Sequence, residues 1–444
     1  MNDKYALNII PSVIISLITP IGFFAPIGEW LLLALLGITL LINYIGQPFY
    51  LSKKYLYLFF LSCLLISSSH FWTINIERTK ETILPLILIF FAIYILFSHV
   101  NKINVKNIDI ILGLSVFIAS SFIFLDLIFD AEINFHLTNL VGDDPTTNRS
   151  GYFDRGLLIL TIMLPITISS LLNKKRILFS ILVFIMVSLT IFLGSSDTAK
   201  LTLLLSIITA ITVYFLGHRS YKGFGFIVII WILSAPFLIQ KIAPYIINVE
   251  KQITIVEECK LHLLYPENYN NLTITEDTDY KEIDNLSNKC ENTIPWQLYK
   301  TNLVHRVLVW EFVSKEISKK YILGYGLGTS RLIGQNVILD VPKVNQDIYG
   351  AIPLHPHNNI LEIWLELGVL GILIYAFIWI TLIRLFTKIR SKSYFLGTGA
   401  CTSLFAIFIV SNLSFGVFQA WWISTVILVI FISVLEYKNF LKSN

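Results

Sequence analysis

The chain has 444 residues, 55% of them hydrophobic and only 14% charged, with a mean hydropathy of +0.72. Soluble domains carry roughly 25% charged residues, so a water-soluble globular protein is excluded. The net charge is only +4, and the basic residues sit in short loops between apolar blocks, which excludes a nucleic-acid-binding surface.

From the N-terminus, Lys4 precedes an apolar run containing Pro11 and Pro20. No small-x-small cleavage site follows, so the run reads as a retained first span rather than a signal peptide. Twelve spans are predicted, at about 8–26, 30–47, 55–70, 82–100, 108–129, 155–172, 177–194, 200–217, 224–244, 367–386, 394–413 and 415–436. A membrane barrel would alternate apolar and polar residues over ~10-residue segments, and this chain does not. The predicted fold is an all-α polytopic membrane protein. Residues 1–243 carry spans one to nine, 244–357 form one large outer loop with short helices, and 358–444 lead back into the last three spans.

Loop charges orient it. With both termini in the cytoplasm, Lys53, Lys54, Lys102, Lys106, Lys174, Lys175, Arg176, Arg219, Lys222, Arg384, Lys388, Arg390 and Lys392 fall on one side. This is the positive-inside pattern, and it suits a multi-pass protein of a bacterial inner membrane with the large loop in the periplasm. The first half of that loop is acidic and turn-rich, and its second half, 296–320, reads as an amphipathic helix. Cys63 and Cys401 lie within spans, whereas Cys259 and Cys290 flank the acidic stretch. In an oxidising periplasm these two should form a disulfide, contributing about 3 kcal/mol in the chain-entropy model. A zinc site needs about four ligands, and two distant cysteines with His262 do not supply them.

Three outer segments can carry chemistry. In His355-Pro356-His357-Asn358-Asn359, Asn359 with Glu362 three residues on forms a capping-box pattern. Both histidines then precede a helix N-terminus, which favours anions and keeps a nearby imidazole neutral, so that it can accept a proton. The alternatives are simple capping beside a wet interface, or a His-x-His metal pair, for which no further ligand cluster is evident. In the second segment Arg306 and Trp310 share a helix face. Arginine is suited to phosphate, and a surface salt bridge is the alternative. Gly324-Tyr325-Gly326-Leu327-Gly328 follows, lacks the strand and the Lys-Ser/Thr of a nucleotide loop, and reads as a tight turn toward the membrane. In the third segment Arg149 and Arg155 flank the start of the sixth span, either as interfacial anchors or as a lining for an anionic headgroup. Asp126, inside the fifth span, needs a partner at that depth, and Arg155 is a candidate.

The succession Arg306-x-x-x-Trp310, Gly324-x-Gly326-x-Gly328, His355-x-His357-Asn358 and Glu366-x-Gly368-x-x-Gly371 resembles the O-antigen ligase and polymerase superfamily. The motifs cover about residues 150–385. Members are integral membrane glycosyltransferases that use a lipid-linked pyrophosphate sugar donor and need no metal or other cofactor. The resemblance implies that His357 is the base, assisted by His355, and that Arg306 binds pyrophosphate. Trp310, Asn358, Asn359, Glu362 and Glu366 then form the supporting shell. Many relatives place an arginine in the outer hairpin between the seventh and eighth spans. Here only Lys200 is cationic in that hairpin, so Lys200 or Arg155 supplies the second phosphate contact.

The implied partners are an undecaprenyl-pyrophosphate-linked glycan donor, a lipid A-core acceptor and the bilayer, with no nucleic acid and no ATP. The reading is an O-antigen ligase of lipopolysaccharide biosynthesis. The alternatives are an O-antigen polymerase, a protein O-oligosaccharyltransferase and, from a different class, a transporter or flippase. A carrier would concentrate ionisable groups near the midplane, often within internal repeats, and this chain has neither.

Overall fold

Runs of Leu, Ile and Phe without a polar face satisfy their backbone inside a bilayer by forming helices. The computed structural model describes residues 3–44, 53–129, 132, 153–264, 303–339, 348–352 and 354–443. The helices are α1 (Asp3–Phe24), α2 (Glu29–Asn43), α3 (Lys53–Ser68), α4 (Ile76–His99), α5 (Ile108–Ile128), α6 (Asp154–Asn173), α7 (Ile177–Leu193), α8 (Asp197–Leu216) and α9 (His218–Leu264). There follow α10 (Leu303–Lys319), α11 (Ser330–Ile333), α12 (Asn359–Lys392), α13 (Tyr394–Leu413) and α14 (Ala420–Ser443). Two short strands, β1 (Ile338–Leu339) and β2 (Ile348–Tyr349), pair antiparallel between α11 and α12.

Each predicted span meets one helix, α1–α9 and α12–α14. Eight of these helices are long and apolar enough to cross a membrane, which makes this a polytopic membrane protein. The other four apolar stretches, Ile9–Phe24, Glu29–Asn43, Tyr55–Phe71 and Ile177–Leu193, are shorter. Helices α6, α13 and α14 are buried along most of their length and form the centre. Outward-facing Leu178, Phe215 and Phe226 are 85%, 76% and 68% exposed, a surface that water would penalise and acyl chains would not.

The apolar stretch of α9, His218–Ile247, ends close to the expected loop start at about Pro244, and α9 itself continues as helix to Leu264, with no glycine or proline between Pro244 and Pro266 to stop it. Of the predicted helix over 296–320, the described residues form α10, Leu303–Lys319. The expected Cys259–Cys290 bridge lies outside the described side chains, as does Arg149.

The helix carrying the histidine motif is not continuous. At Gly368 the backbone takes φ 59° and ψ −155°, a region that only glycine occupies readily. The break separates a short leading segment, 359–367, from the long one that ends at Lys392. A Cβ at Gly368 would also lie 2.4 Å from the Ile322 carbonyl oxygen. Gly368→Ala is therefore expected to destabilise the fold by at least about 1 kcal/mol, seen as a lower unfolding temperature in detergent.

At the other end of the bundle, charges that would be costly in the interior are partnered. Asp109 on α5 pairs with Arg176 ahead of α7. Glu436 of α14 accepts from the Ser170 hydroxyl of α6, and Lys442 donates to the Asn101 carbonyl at 3.1 Å.

Candidate active site

At the opposite end, the leading parts of α6, α8, α10 and α12, with the segment just ahead of α12, carry every site residue the sequence singled out among the described side chains. His357 has φ 55°, a left-handed conformation that costs a non-glycine residue of order 1 kcal/mol and is found where function holds it. The turn brings its backbone N–H onto His355 Nδ1 at 3.1 Å. The two rings lie edge to face, with centroids 4.4 Å apart. His357 Nδ1 lies 2.8 Å from the Ser414 carbonyl oxygen of the α13–α14 loop. A carbonyl can only accept, so Nδ1 donates to it, and in the neutral ring Nε2 is then the nitrogen without a proton.

His355 has the opposite tautomer, because its Nδ1 accepts and its proton therefore sits on Nε2. Burial, the neighbouring His357 and the charge of Arg155 push its pKa down from 6.5 to about 3. His355 thus stays neutral at working pH and serves as a fixed donor. A folded-state pKa below the unfolded one gives stability that is present above pH 6.5 and lost as pH falls toward 3. Replacing His355 by glutamine should flatten the acid limb of unfolding temperature against pH in that window.

The helix that follows is capped one residue earlier than the capping-box pattern predicts. Asn358, not Asn359, has extended backbone, and its Oδ1 accepts from the N–H groups of Ile360 at 3.0 Å and Leu361 at 3.1 Å. Its Nδ2 donates to the Asn412 carbonyl at 3.2 Å. Glu362 does not close the box. It accepts the Val417 N–H at 2.6 Å, tying α12 to the loop that holds His357. Asn359 is turned toward an apolar cavity.

Glu366 holds the glycine turn. Its carboxylate accepts from Gly328 N–H at 2.7 Å, Ser330 N–H at 3.0 Å and the Ser330 hydroxyl. Gly324, Gly326 and Gly328 all have positive φ, so the expected tight turn is present. Tyr325 N–H and Gly326 N–H donate to the Leu365 and Glu366 carbonyls at 2.8 and 2.9 Å. These bonds dock the turn on the leading segment of α12.

The predicted cations converge on the first turn of α6. Trp310 Nε1 donates to the Pro356 carbonyl at 2.8 Å, which fastens α10 to the histidine loop. Arg306, one helical turn earlier, reaches Thr198 Oγ1 at 3.4 Å. It makes no direct ion pair among the described residues. Burial lowers its pKa, opposed by the nearby charges of Asp197 and Asp154. A half-buried guanidinium with one protein hydrogen bond has donors to spare. Lys200 acts on the same Asp154, which also accepts from Ser195 Oγ at 3.0 Å. Arg155, the next residue along, lies over the Trp421 ring, 5.6 Å from its centroid. Asp126 is fully buried near the C-terminal end of α5.

Asp154, Asp197, Thr198, Ser414 and Trp421 were not singled out from the sequence. Asp154 adjoins Arg155, and Asp197 and Thr198 lie in the hairpin that carries Lys200, which is the sequence signal for those three. Beneath the histidines a cavity of about 560 Å³ runs from Asn359 and Ile363 of α12 down to Lys438 of α14 and Asn101 beyond α4. Its remaining lining is nearly all apolar, from α3, α4, α12, α13 and α14.

These features define a polytopic membrane protein with a polar, histidine- and arginine-bearing site at one face and an apolar channel beneath it. Residues 181–376 match the family model described as O-Antigen ligase, so the resemblance carried by the motifs holds across α7 to the middle of α12. That stretch contains Lys200, Arg306, Trp310, His355, His357 and Glu366, and leaves out Arg155. A provisionally named polysaccharide ligase of Rickettsia conorii is 35% identical over 136 residues, 30% of this chain and 32% of that protein. Relatives bearing the same provisional name in Rickettsia felis and Rickettsia prowazekii are 34% identical over 134 residues and 33% over 147. These cover 30% and 32% of this chain, and 32% and 34% of the relatives. The matched stretch thus spans about a third of the length of those proteins.

Proposed function

We propose that this protein is an O-antigen ligase of a bacterial inner membrane, with both termini cytoplasmic, twelve crossings and the histidine face in the periplasm. It moves a glycan from undecaprenyl pyrophosphate to lipid A-core by single displacement with inversion. The observation that carries this reading is the contact of His357 Nδ1 with the Ser414 carbonyl, which assigns the neutral ring's acceptor to Nε2, next to a His355 on which Arg155 acts and two residues before Asn359 in the lining of the apolar channel.

In the proposed reaction the polyprenyl tail lies in the channel and its pyrophosphate meets Arg306, with Arg155 and Lys200 as further cations. The acceptor hydroxyl gives its proton to His357 Nε2 as its oxygen bonds to the anomeric carbon. The bond from that carbon to the phosphate oxygen breaks, and the leaving pyrophosphate keeps the electron pair, its charge offset by the arginines. The Ser414 carbonyl stabilises the imidazolium formed at His357. His355 Nε2–H orients the acceptor, and its depressed pKa keeps it from competing for the proton. The activated donor supplies the driving force, so turnover is expected to survive EDTA. Loss restored by zinc or manganese would move the site to metal catalysis.

Gene deletion followed by lipopolysaccharide gel analysis tests the assignment. Core without a glycan ladder, with lipid-linked polymer accumulating, is expected of a ligase. Core bearing one repeat would mean a polymerase instead. Transfer of labelled glycan by purified protein in a bilayer without a gradient separates an enzyme from a carrier.

A further inference from the structure

At the membrane face opposite the histidines, one residue, Gly217, joins α8 to α9. Beside it a cavity of about 300 Å³ opens between the first turns of α9 and the far end of α12, lined by His218, Tyr221, Lys222, Ile383, Arg384 and Thr387. Three of the six are basic, and neither wall offers a carboxylate. The sequence holds no Asp or Glu between Asp197 and Glu250, or between Glu366 and Glu436.

Several other cations on this face are engaged. Arg176 pairs with Asp109, Lys442 donates to the Asn101 carbonyl, and Arg390 and Lys102 lie over the rings of Tyr394 and Tyr44. Lys222 and Arg384 have no hydrogen bond or ion pair among the described residues. The floor is set by Tyr221, 1% exposed, whose hydroxyl donates to the Gly397 carbonyl at 2.7 Å. Next to the cavity α9 presents Phe226, Ile227, Ile230 and Leu233 outward.

We propose that this cavity binds the phosphate of an anionic phospholipid headgroup. Lys222 and Arg384 grip it from two helices, and the acyl chains lie along the outward face of α9. Basic pockets between membrane helices suit such headgroups, and arginine pairs well with phosphate oxygens. The cavity exceeds what an inorganic phosphate would fill, and its mouth is continuous with an apolar helix face, which favours a lipid over a free anion. A lipid held there ties α9 to α12, whose other end bears the histidine motif. The inference does not depend on the proposed reaction.

The test uses the full-length protein in nanodiscs of equal parts phosphatidylethanolamine and phosphatidylglycerol, with retained lipid counted by native mass spectrometry. Wild type is expected to retain phosphatidylglycerol selectively, and Lys222→Gln/Arg384→Gln to lose that enrichment about tenfold or more. Arg219→Gln/Lys392→Gln removes the same charge from the same face outside the cavity and should behave as wild type. Equal loss in both double variants, or none in the first, would overturn the proposal. Displacement of the retained lipid by inorganic phosphate would overturn the lipid assignment in favour of a free-anion site. Unfolding temperature in phosphatidylethanolamine alone checks the fold. If the double variant fails there, the single substitutions, each expected to cost about fivefold, take its place.

Discussion

Replacing His357 by alanine is expected to lower turnover about 10²–10⁴-fold while leaving donor affinity close to wild type. The base acts only as the acceptor hydroxyl loses its proton, so its removal is felt in the transition state and not in donor binding. Its Nδ1–H contact with the Ser414 carbonyl makes the prediction sharper. Glutamine at 357 can keep a donor toward that carbonyl but offers no comparable base, so it should fold like wild type and remain slow. Donor affinity and single-turnover rate in nanodiscs measure both quantities. Near wild-type transfer by His357→Ala with His355→Ala inactive would mean the roles are exchanged. If both variants transfer glycan normally, the base lies elsewhere.

Arg306→Ala should weaken donor binding and slow turnover together, because the phosphates are present in both the ground and transition states. A charge-assisted hydrogen bond contributes roughly 1.5–3 kcal/mol, about 10- to 150-fold in affinity. Lysine at 306 should recover only part, since a point charge lacks the planar fork. In the protein Arg306 meets one hydroxyl, Thr198 Oγ1, and makes no direct ion pair among the described residues. The alternative of a plain surface salt bridge predicts instead that alanine leaves donor affinity unchanged. An unchanged affinity with intact folding would remove Arg306 from the phosphate site.

The cap at α12 illustrates how local patterns run out. Asn358 and Asn359 are equally good cap residues, and Glu362 completes a capping box with the second. Tertiary contacts decide between them. The Asn412 carbonyl takes Asn358 Nδ2, and Val417 N–H takes the Glu362 carboxylate that a box would have used. Neither partner lies within fifty residues of the motif. Arg155 has a comparable history: its place beside His355 depends on the position of Trp421, more than 250 residues along the chain.

By itself the sequence determined the membrane class, the positions of the long apolar helices and the glycine turn. Each follows from neighbours in the chain. Uninterrupted apolar runs need internally satisfied backbone, and glycines supply the left-handed turn that other residues resist. Only the tertiary structure decided which partner each histidine's Nδ1 meets, that the charges of Asp154 and Asp197 act on Arg306, and that an apolar channel opens beneath the site. Those outcomes depend on carbonyls, carboxylates and packing gaps contributed by helices far apart in sequence. Hydrogen bonding and charge act over a few ångströms of space, whatever the separation along the chain.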